Sequence, residues 1–323
     1  MSELLRVEDC SKVFTIGGGL SRQHLVAVNK ANVVLPADKP MIYTLAGESG
    51  SGKSTLARMI LGVHTPTSGT ITYRGETVHR SRDRAEQLSF MSQIQTVFQN
   101  PFETFNPLKR VENYLFETAR HFRDAAKRAD QIECIEEALG IVGLSFRDVA
   151  RKYPNEFSGG QLQRVSIARA LITKPKLLLA DEPVSMVDAS LSMSIVNLFK
   201  KLRDDAGVSV VYITHDLATA YYVSDEVAIM LRGNIVESGP VEEVLGRPRH
   251  YYTKLLIESV PVPDPDRKWK EDIVLSKREE KEYAMTGCKF AGRCPRAEEV
   301  CFLVDPELRR IGNAHVRCHF AEE

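Results

Sequence analysis

No apolar run in the 323-residue chain approaches the ~20 residues that a membrane-spanning helix needs. If the protein works at a membrane, other subunits must cross it. Net charge is missing too. Its 43 basic residues balance 43 acidic ones, so charge lends nothing to a general nucleic-acid role. There is no heptad array, which excludes a long coiled coil, and no internal repeat. The opening Met1-Ser2-Glu3-Leu4-Leu5-Arg6 lacks the basic and apolar regions of a signal peptide, and the chain is expected to stay in the cytosol. Cysteine is scarce before residue 288, where only Cys10 and Cys134 occur.

What remains is an ordinary globular composition, 43% hydrophobic and 27% charged. The length suits a large domain with a smaller one, or two domains. Met41 to Ala46 reads as a buried strand, and the residues before it as short strands and turns. That strand feeds Gly47-Glu48-Ser49-Gly50-Ser51-Gly52-Lys53-Ser54-Thr55, and a helix follows from about Ser54 to a stop at Gly62. Strand, glycine loop and helix in this order make a P-loop. Backbone N–H groups converge on phosphate oxygens where no side chains intervene, and the helix adds its positive end. Lys53 is expected at the β- and γ-phosphates, with the Ser54 hydroxyl on Mg²⁺.

Further strands are expected at Lys176–Ala180, Val208–Ile213 and Glu226–Leu231, and a helix from Asp188 to Asp205. Strands alternating with helices argue for an α/β fold with a largely parallel sheet. Residues from about 101 to 156 read as a mainly helical insert, with Ile132, Ile135, Leu139 and Val142 at helical spacing.

A second glycine motif, Phe157-Ser158-Gly159-Gly160-Gln161, lies within a capped helix start. Ser158 and Gln161 have capping-box spacing, and Leu162, Val165, Ala168 and Ile172 line one face. A plain cap does not require Gly159 and Gly160, whose exposed amides at a positive helix end suit an anion. Asp181 closes the Leu-Leu-Leu-Ala strand and is expected to hold Mg²⁺. Glu182 is the candidate general base for an attacking water.

P-loop, Ser-Gly-Gly-Gln, Leu-Leu-Leu-Ala-Asp-Glu-Pro and Ile-Thr-His-Asp, in that order, resemble the ATPase subunit of the ATP-binding cassette family. The resemblance implies a P-loop NTPase core with an antiparallel β subdomain. It further implies that Gln99 contacts Mg²⁺ or water, that Asp188 touches an opposite subunit, and that His215 contacts the γ-phosphate. Phe14 stands where relatives stack an aromatic on adenine, with a core phenylalanine the alternative. The resemblance implies a head-to-tail dimer. Lys53, Ser54, Gln99, Asp181, Glu182 and His215 serve one ATP, while Ser158 and Gly160 serve the nucleotide held by the partner. Phe157 replaces the usual leucine, and Ser-Met-Val-Asp replaces Ser-Ala-Leu-Asp.

The last segment concentrates Cys288, Cys294, Cys301 and Cys318, separated by five, six and sixteen residues. In a reducing cytosol this suggests metal rather than disulfides. Zinc ribbons use closer pairs, so the spacing favours a [4Fe–4S] cluster, with Zn²⁺ the alternative given His315 and His319 nearby. Val260-Pro261-Val262-Pro263-Asp264-Pro265 reads as a stiff linker, followed by a charged stretch, Lys277 to Glu282. With Arg249-His250-Tyr251-Tyr252-Thr253 before them, these features resemble the C-terminal extension of oligopeptide and dipeptide importer ATPases, in which four cysteines hold a [4Fe–4S] cluster. The expected organisation is a nucleotide-binding domain over 1–260 and a linker with a cysteine-rich extension over 261–323. The resemblance implies two membrane permease subunits docking on the insert, a second and different ATPase subunit, an extracytoplasmic binding protein, and a place on the cytoplasmic face of the inner membrane. Oligosaccharide import, a soluble cassette ATPase acting on nucleic acid and an ATP-binding redox adaptor are the competing readings.

Overall fold

Ala31, Val33 and Leu35 turn inward while Asn32 and Val34 face out, the period-two pattern of a half-buried strand. They belong to β2 (Gln23–Pro36), which pairs antiparallel with β1 (Glu3–Ile16). The register slips between Val7 and Cys10, where Asp9 takes a φ of 44°, as in a bulge. The computed structural model describes residues 2–17, 22–123, 125–260 and 279–322. They form two units. One is built from residues 1–37, 43–79 and 214–323, the other from 38–42 and 80–213.

In the first unit, β3 (Ile42–Ala46) is buried throughout, and α1 (Lys53–Ile60) follows the glycine loop. The amide of Gly62 donates to the carbonyl of Met59 at 3.0 Å with φ at 77°, so the helix stops where glycine permits the left-handed turn. β4 (Ser68–Tyr73) and β5 (Glu76–Thr77) complete a four-stranded sheet in the order β2-β1-β4-β5. This is the expected antiparallel subdomain.

The second unit opens with α2 (Arg84–Gln93) and β6 (Ile94–Val97). Four short helices follow: α3 (Pro101–Thr104), α4 (Val111–Phe122), α5 (Arg128–Ile141) and α6 (Phe146–Val149). They fill the stretch expected to be helical. One detail differs. Ile135, Leu139 and Val142 are buried but Ile132 is exposed. The inward position is Gln131, whose amide donates to the carbonyl of Ala125 at 2.8 Å and so satisfies its polar end.

Next comes α7 (Gly159–Ile172), expected to be apolar on one face. It is buried on nearly every side, because α3, α4, α5 and β6 all pack on it. β7 (Leu177–Asp181), α8 (Ala189–Asp204) and β8 (Ser209–Thr214) complete the unit, and β6, β7 and β8 pair in parallel.

The chain then returns to the first unit through α9 (Leu217–Val223), β9 (Glu226–Leu231), β10 (Asn234–Pro240), α10 (Val241–Gly246) and α11 (Tyr251–Glu258). β9 runs parallel to β3 and antiparallel to β10. The proline-rich linker over 261–265 and the charged residues up to 278 lie outside the described residues.

The tail resumes with α12 (Glu279–Ala284), α13 (Glu299–Leu303), β11 (Leu308–Ile311) and β12 (Ala314–Arg317). It does not stand apart from its unit. β12 pairs with β10, Val316 opposite Glu237, and Phe290, Ile311, Ala314 and Val316 share one apolar cluster with Ile229, Leu231, Val244 and Tyr252.

Candidate functional site

The loop between β3 and α1 turns sharply at Gly52, with φ at 107°. A Cβ at that position would stand 2.2 Å from the carbonyl oxygen of Ala27, so only glycine fits. Lys53 is buried, and its ammonium donates to the carbonyls of Gly47 and Glu48 at 2.7 and 2.8 Å and to the Ser51 hydroxyl at 3.3 Å. Ser54 and Thr55 are half-buried in the first turn of α1. That turn carries no acidic residue, so no side chain of its own offsets the positive end of the helix. The arrangement is a cationic, amide-lined cradle for phosphate. Phe14 is half-buried on β1, not part of the core, and meets His64 edge-to-face at 5.5 Å between ring centroids.

In the second unit the structure brings Gln99 and Glu182 together. The Gln99 amide donates to Glu182 Oε2 at 2.9 Å. Asp181 ends β7, and the half-buried Glu182 follows with φ at 44°. A non-glycine residue in this region is strained, and such strain concentrates where a side chain must be aimed. Its N–H donates to the carbonyl of Ile213 at 2.9 Å, which pins the turn to β8.

The Ser158 capping box forms in both directions. The Gln161 N–H donates to Ser158 Oγ at 3.2 Å, and the Ser158 N–H to Gln161 Oε1 at 3.1 Å. Both side chains are exposed, Gly159 is half-buried and Gly160 is buried. A Cβ on Gly160 would lie 1.7 Å from Leu191 Cδ2, so a larger residue there requires the Leu191 side chain to move. Asp188 caps α8, accepting from the Leu191 N–H at 2.9 Å and the Ser190 hydroxyl at 2.7 Å. These bonds, the backbone one foremost, hold its carboxyl below the usual range. His215 is exposed at the end of β8, ahead of the Asp216 cap of α9.

Cys288, Cys294, Cys301 and Cys318 line one small cavity beside His250, Tyr251 and Phe290. Burial foremost, with the other three sulfurs nearby, pushes the Cys288 thiol up to about 11. Burial raises Cys294 as well. Thiols that share a largely apolar pocket are the donor type that a thiolate-binding group needs. Among the described residues, no three His, Cys, Asp or Glu side chains are arranged around a single metal ion.

The pairing of a set of residues around the P-loop had no signal in the sequence. Glu48, within the loop, pairs with Arg293 at 3.0 Å and Arg232 at 3.6 Å. Both arginines pair in turn with Glu282, each at 2.9–3.0 Å. The four charges close an alternating ring. The Glu48 N–H donates to the hydroxyl of the buried Tyr252 at 3.0 Å, and the Tyr283 hydroxyl donates to the carbonyl of Gly50. Tyr252 is positioned by His250, whose Nδ1 caps α11 by accepting from the Tyr252 N–H at 3.0 Å.

Residues 31–185 match the ABC transporter family, and residues 236–301 match the oligopeptide/dipeptide transporter C-terminal region. The chain is 35% identical to the di/tripeptide transport ATP-binding protein DppF of Pseudomonas aeruginosa, over all of this chain and 99% of that protein. It is 38% identical to the oligopeptide transport ATP-binding protein OppF of Salmonella typhimurium, over 85% of this chain and 82% of the relative. Among solved structures, the ATP-binding cassette MJ0796, a dimer bound to ADP and Pi, superposes with a TM-score of 0.64 at 27% identity, over 73% of this chain and 98% of that one. The chain belongs to the ATP-hydrolysing subunits of ABC transporters, in the oligopeptide/dipeptide transporter group.

Proposed function

We propose that this chain binds and hydrolyses MgATP to energise import of di- and oligopeptides, and that it works as one half of an ATPase dimer. The single observation that carries the catalytic part is the Gln99–Glu182 hydrogen bond, which fixes a carboxylate on a strained turn directly after Asp181. Glu182 then orients the attacking water and accepts its proton. Gln99 holds that carboxylate and contacts Mg²⁺ or water, Asp181 and Ser54 serve Mg²⁺, and Lys53 neutralises the β- and γ-phosphates. His215 reads the γ-phosphate. Thr55 and the amides of Gly47, Ser49, Gly50, Ser51 and Gly52 cradle the phosphates, and Phe14 lies against the adenine. Ser158, Gly159, Gly160 and Gln161 cap the nucleotide held by the opposite subunit, and Asp188 meets that subunit. The exposure of Ser158 and Gln161 supports this reading.

The partners are a second, different ATPase subunit, two permease subunits on the helical insert and an extracytoplasmic binding protein. No described helix is long and apolar enough to cross a membrane. Kinship with importer ATPases supports a peripheral place on the cytoplasmic face, held by those permeases. Cys288, Cys294, Cys301 and Cys318 hold a [4Fe–4S] cluster, whose contribution is a cross-link for a short segment with little core of its own.

Two measurements test the proposal. ATPase activity of the wild type against Glu182→Gln tests the catalytic part, and equal rates overturn it. Broad visible absorbance that disappears with Cys318→Ser supports the cluster. A colourless, zinc-containing protein replaces it with Zn²⁺.

A further inference from the structure

We propose that the ring Glu48–Arg293–Glu282–Arg232 is a positioning device through which the cysteine-bearing tail sets the P-loop, so that Glu282 and Arg293 act as positioning residues for nucleotide binding. This rests on reading the P-loop as the nucleotide site, and it adds a coupling that the phosphate motifs do not contain. Three observations carry it.

The ring joins loop to tail through charges largely withdrawn from water, with Glu48 the most open at 30%. The side chains of Arg232, Arg293 and Glu282 are 1%, 8% and 8% exposed. A pair so desolvated is weakly screened, and losing one member strands the others. The tail also grips the loop at one further point, Tyr283 on the Gly50 carbonyl, while Tyr252 of α11 accepts from the Glu48 N–H. Tyr252 lies under the same arginine, whose guanidinium is 5.9 Å from that ring and 5.2 Å from Phe290. Finally, Arg293 lies between Cys288 and Cys294, its own N–H bonded to the Phe290 carbonyl at 2.9 Å. A change in how those thiols are held therefore moves the guanidinium that holds Glu48. Glu48 in turn shares its backbone carbonyl with the Lys53 ammonium at 2.8 Å. Thiol pocket, Arg293, Glu48 and Lys53 form one connected chain of contacts.

The test uses the purified full-length protein and a fluorescent, non-hydrolysable ATP analogue. Arg293→Ala and Glu282→Gln should each weaken binding about tenfold, within the 5–150-fold range of typical site-to-site couplings. Arg293→Lys, which keeps the cation but loses the fork, should fall between. It also serves as the folded comparison should Arg293→Ala not fold. The double variant Glu48→Gln/Arg293→Ala should bind no more weakly than the weaker single variant, as expected for members of one network. By reciprocity, the analogue should slow amide exchange over residues 286–294 in the wild type but not in Arg293→Ala.

Wild-type affinity in folded Arg293→Ala and Arg293→Lys overturns the proposal, as does a double variant that multiplies the two single effects. A wild type and Lys53→Ala that bind the analogue equally would instead sink the P-loop reading, leaving the two failures distinguishable.

Discussion

Replacing Glu182 by glutamine isolates one proton acceptor while sparing almost everything around it. The variant's amide oxygen can still accept from Gln99, which now donates to Glu182 Oε2 at 2.9 Å. The strained φ of 44° is retained, since glutamine also carries a Cβ. The backbone bond to Ile213 does not involve the side chain. Fold stability should therefore stay within about 0.5 kcal/mol. Lys53 and its loop contacts are untouched, so ATP should bind as before. What is lost is the charge that orients water and takes its proton, and general-base removal costs roughly 10²- to 10⁴-fold in rate. That corresponds to about 3–5 kcal/mol on the barrier. The assay is phosphate release by the wild type and Glu182→Gln under saturating MgATP, paired with thermal melting and nucleotide binding. The reasoning predicts a fall in kcat with KM and melting unchanged. Equal turnover refutes it. So does a variant that melts several degrees lower, because its low rate would then report misfolding.

Other outcomes follow from the same geometry. Ser158→Ala removes the cap on α7 and should cost about 1 kcal/mol in stability, together with most ATPase activity. A melting curve and a phosphate assay separate the two, and a loss of stability alone would leave only the cap. Gly160→Ala pushes a methyl into Leu191 and should destabilise by about 1–3 kcal/mol. A wild-type melting temperature would show that the 184–191 segment yields freely.

Acid stability should depend on His250, whose imidazole burial drives down to about 4 from 6.5. The unfolded chain binds the extra proton between these values. The histidine's contribution is thus whole above pH 6.5 and lost as pH falls towards 4, by about 3 kcal/mol. Neighbouring Glu237 works the other way. Burial raises its pKa, so its share is present below about 4.5 and fades as pH rises through the raised value. Denaturant melts of His250→Gln between pH 7 and 4 should show a flatter acid limb than the wild type, and parallel curves would contradict the assignment.

The parts of this fold that were legible in the sequence depend on local order. Met41 to Thr55 announces strand, turn and helix because glycines must sit where the chain turns past Ala27. Ser158 with Gln161, and Asp188 ahead of α8, signal caps because the partner amides are only three residues away. The buried stripe on α5 passes through Gln131, one position before the Ile132 that helical spacing suggests. Ile132 and Gln131 are both compatible with a helix, and only the carbonyl of Ala125 decides which turns inward. Burial of α7 on nearly every side depends on four neighbours contributed by distant segments. Glu182 could not be foreseen as left-handed, since glutamate avoids that region unless its surroundings impose it. The ring joining Glu48 to Arg293 spans most of the chain, and three of its members look like ordinary surface charges when read in sequence. Glu282 in particular ends a charged run yet is buried.

A structure of the Glu182→Gln protein in its complete transporter assembly with MgATP is the most direct check on the proposed dimer. The account predicts this chain's Ser158 hydroxyl within hydrogen-bond reach, about 3 Å, of the terminal phosphate gripped by the neighbouring ATPase subunit. A closed, nucleotide-filled assembly in which that hydroxyl faces only water would contradict it.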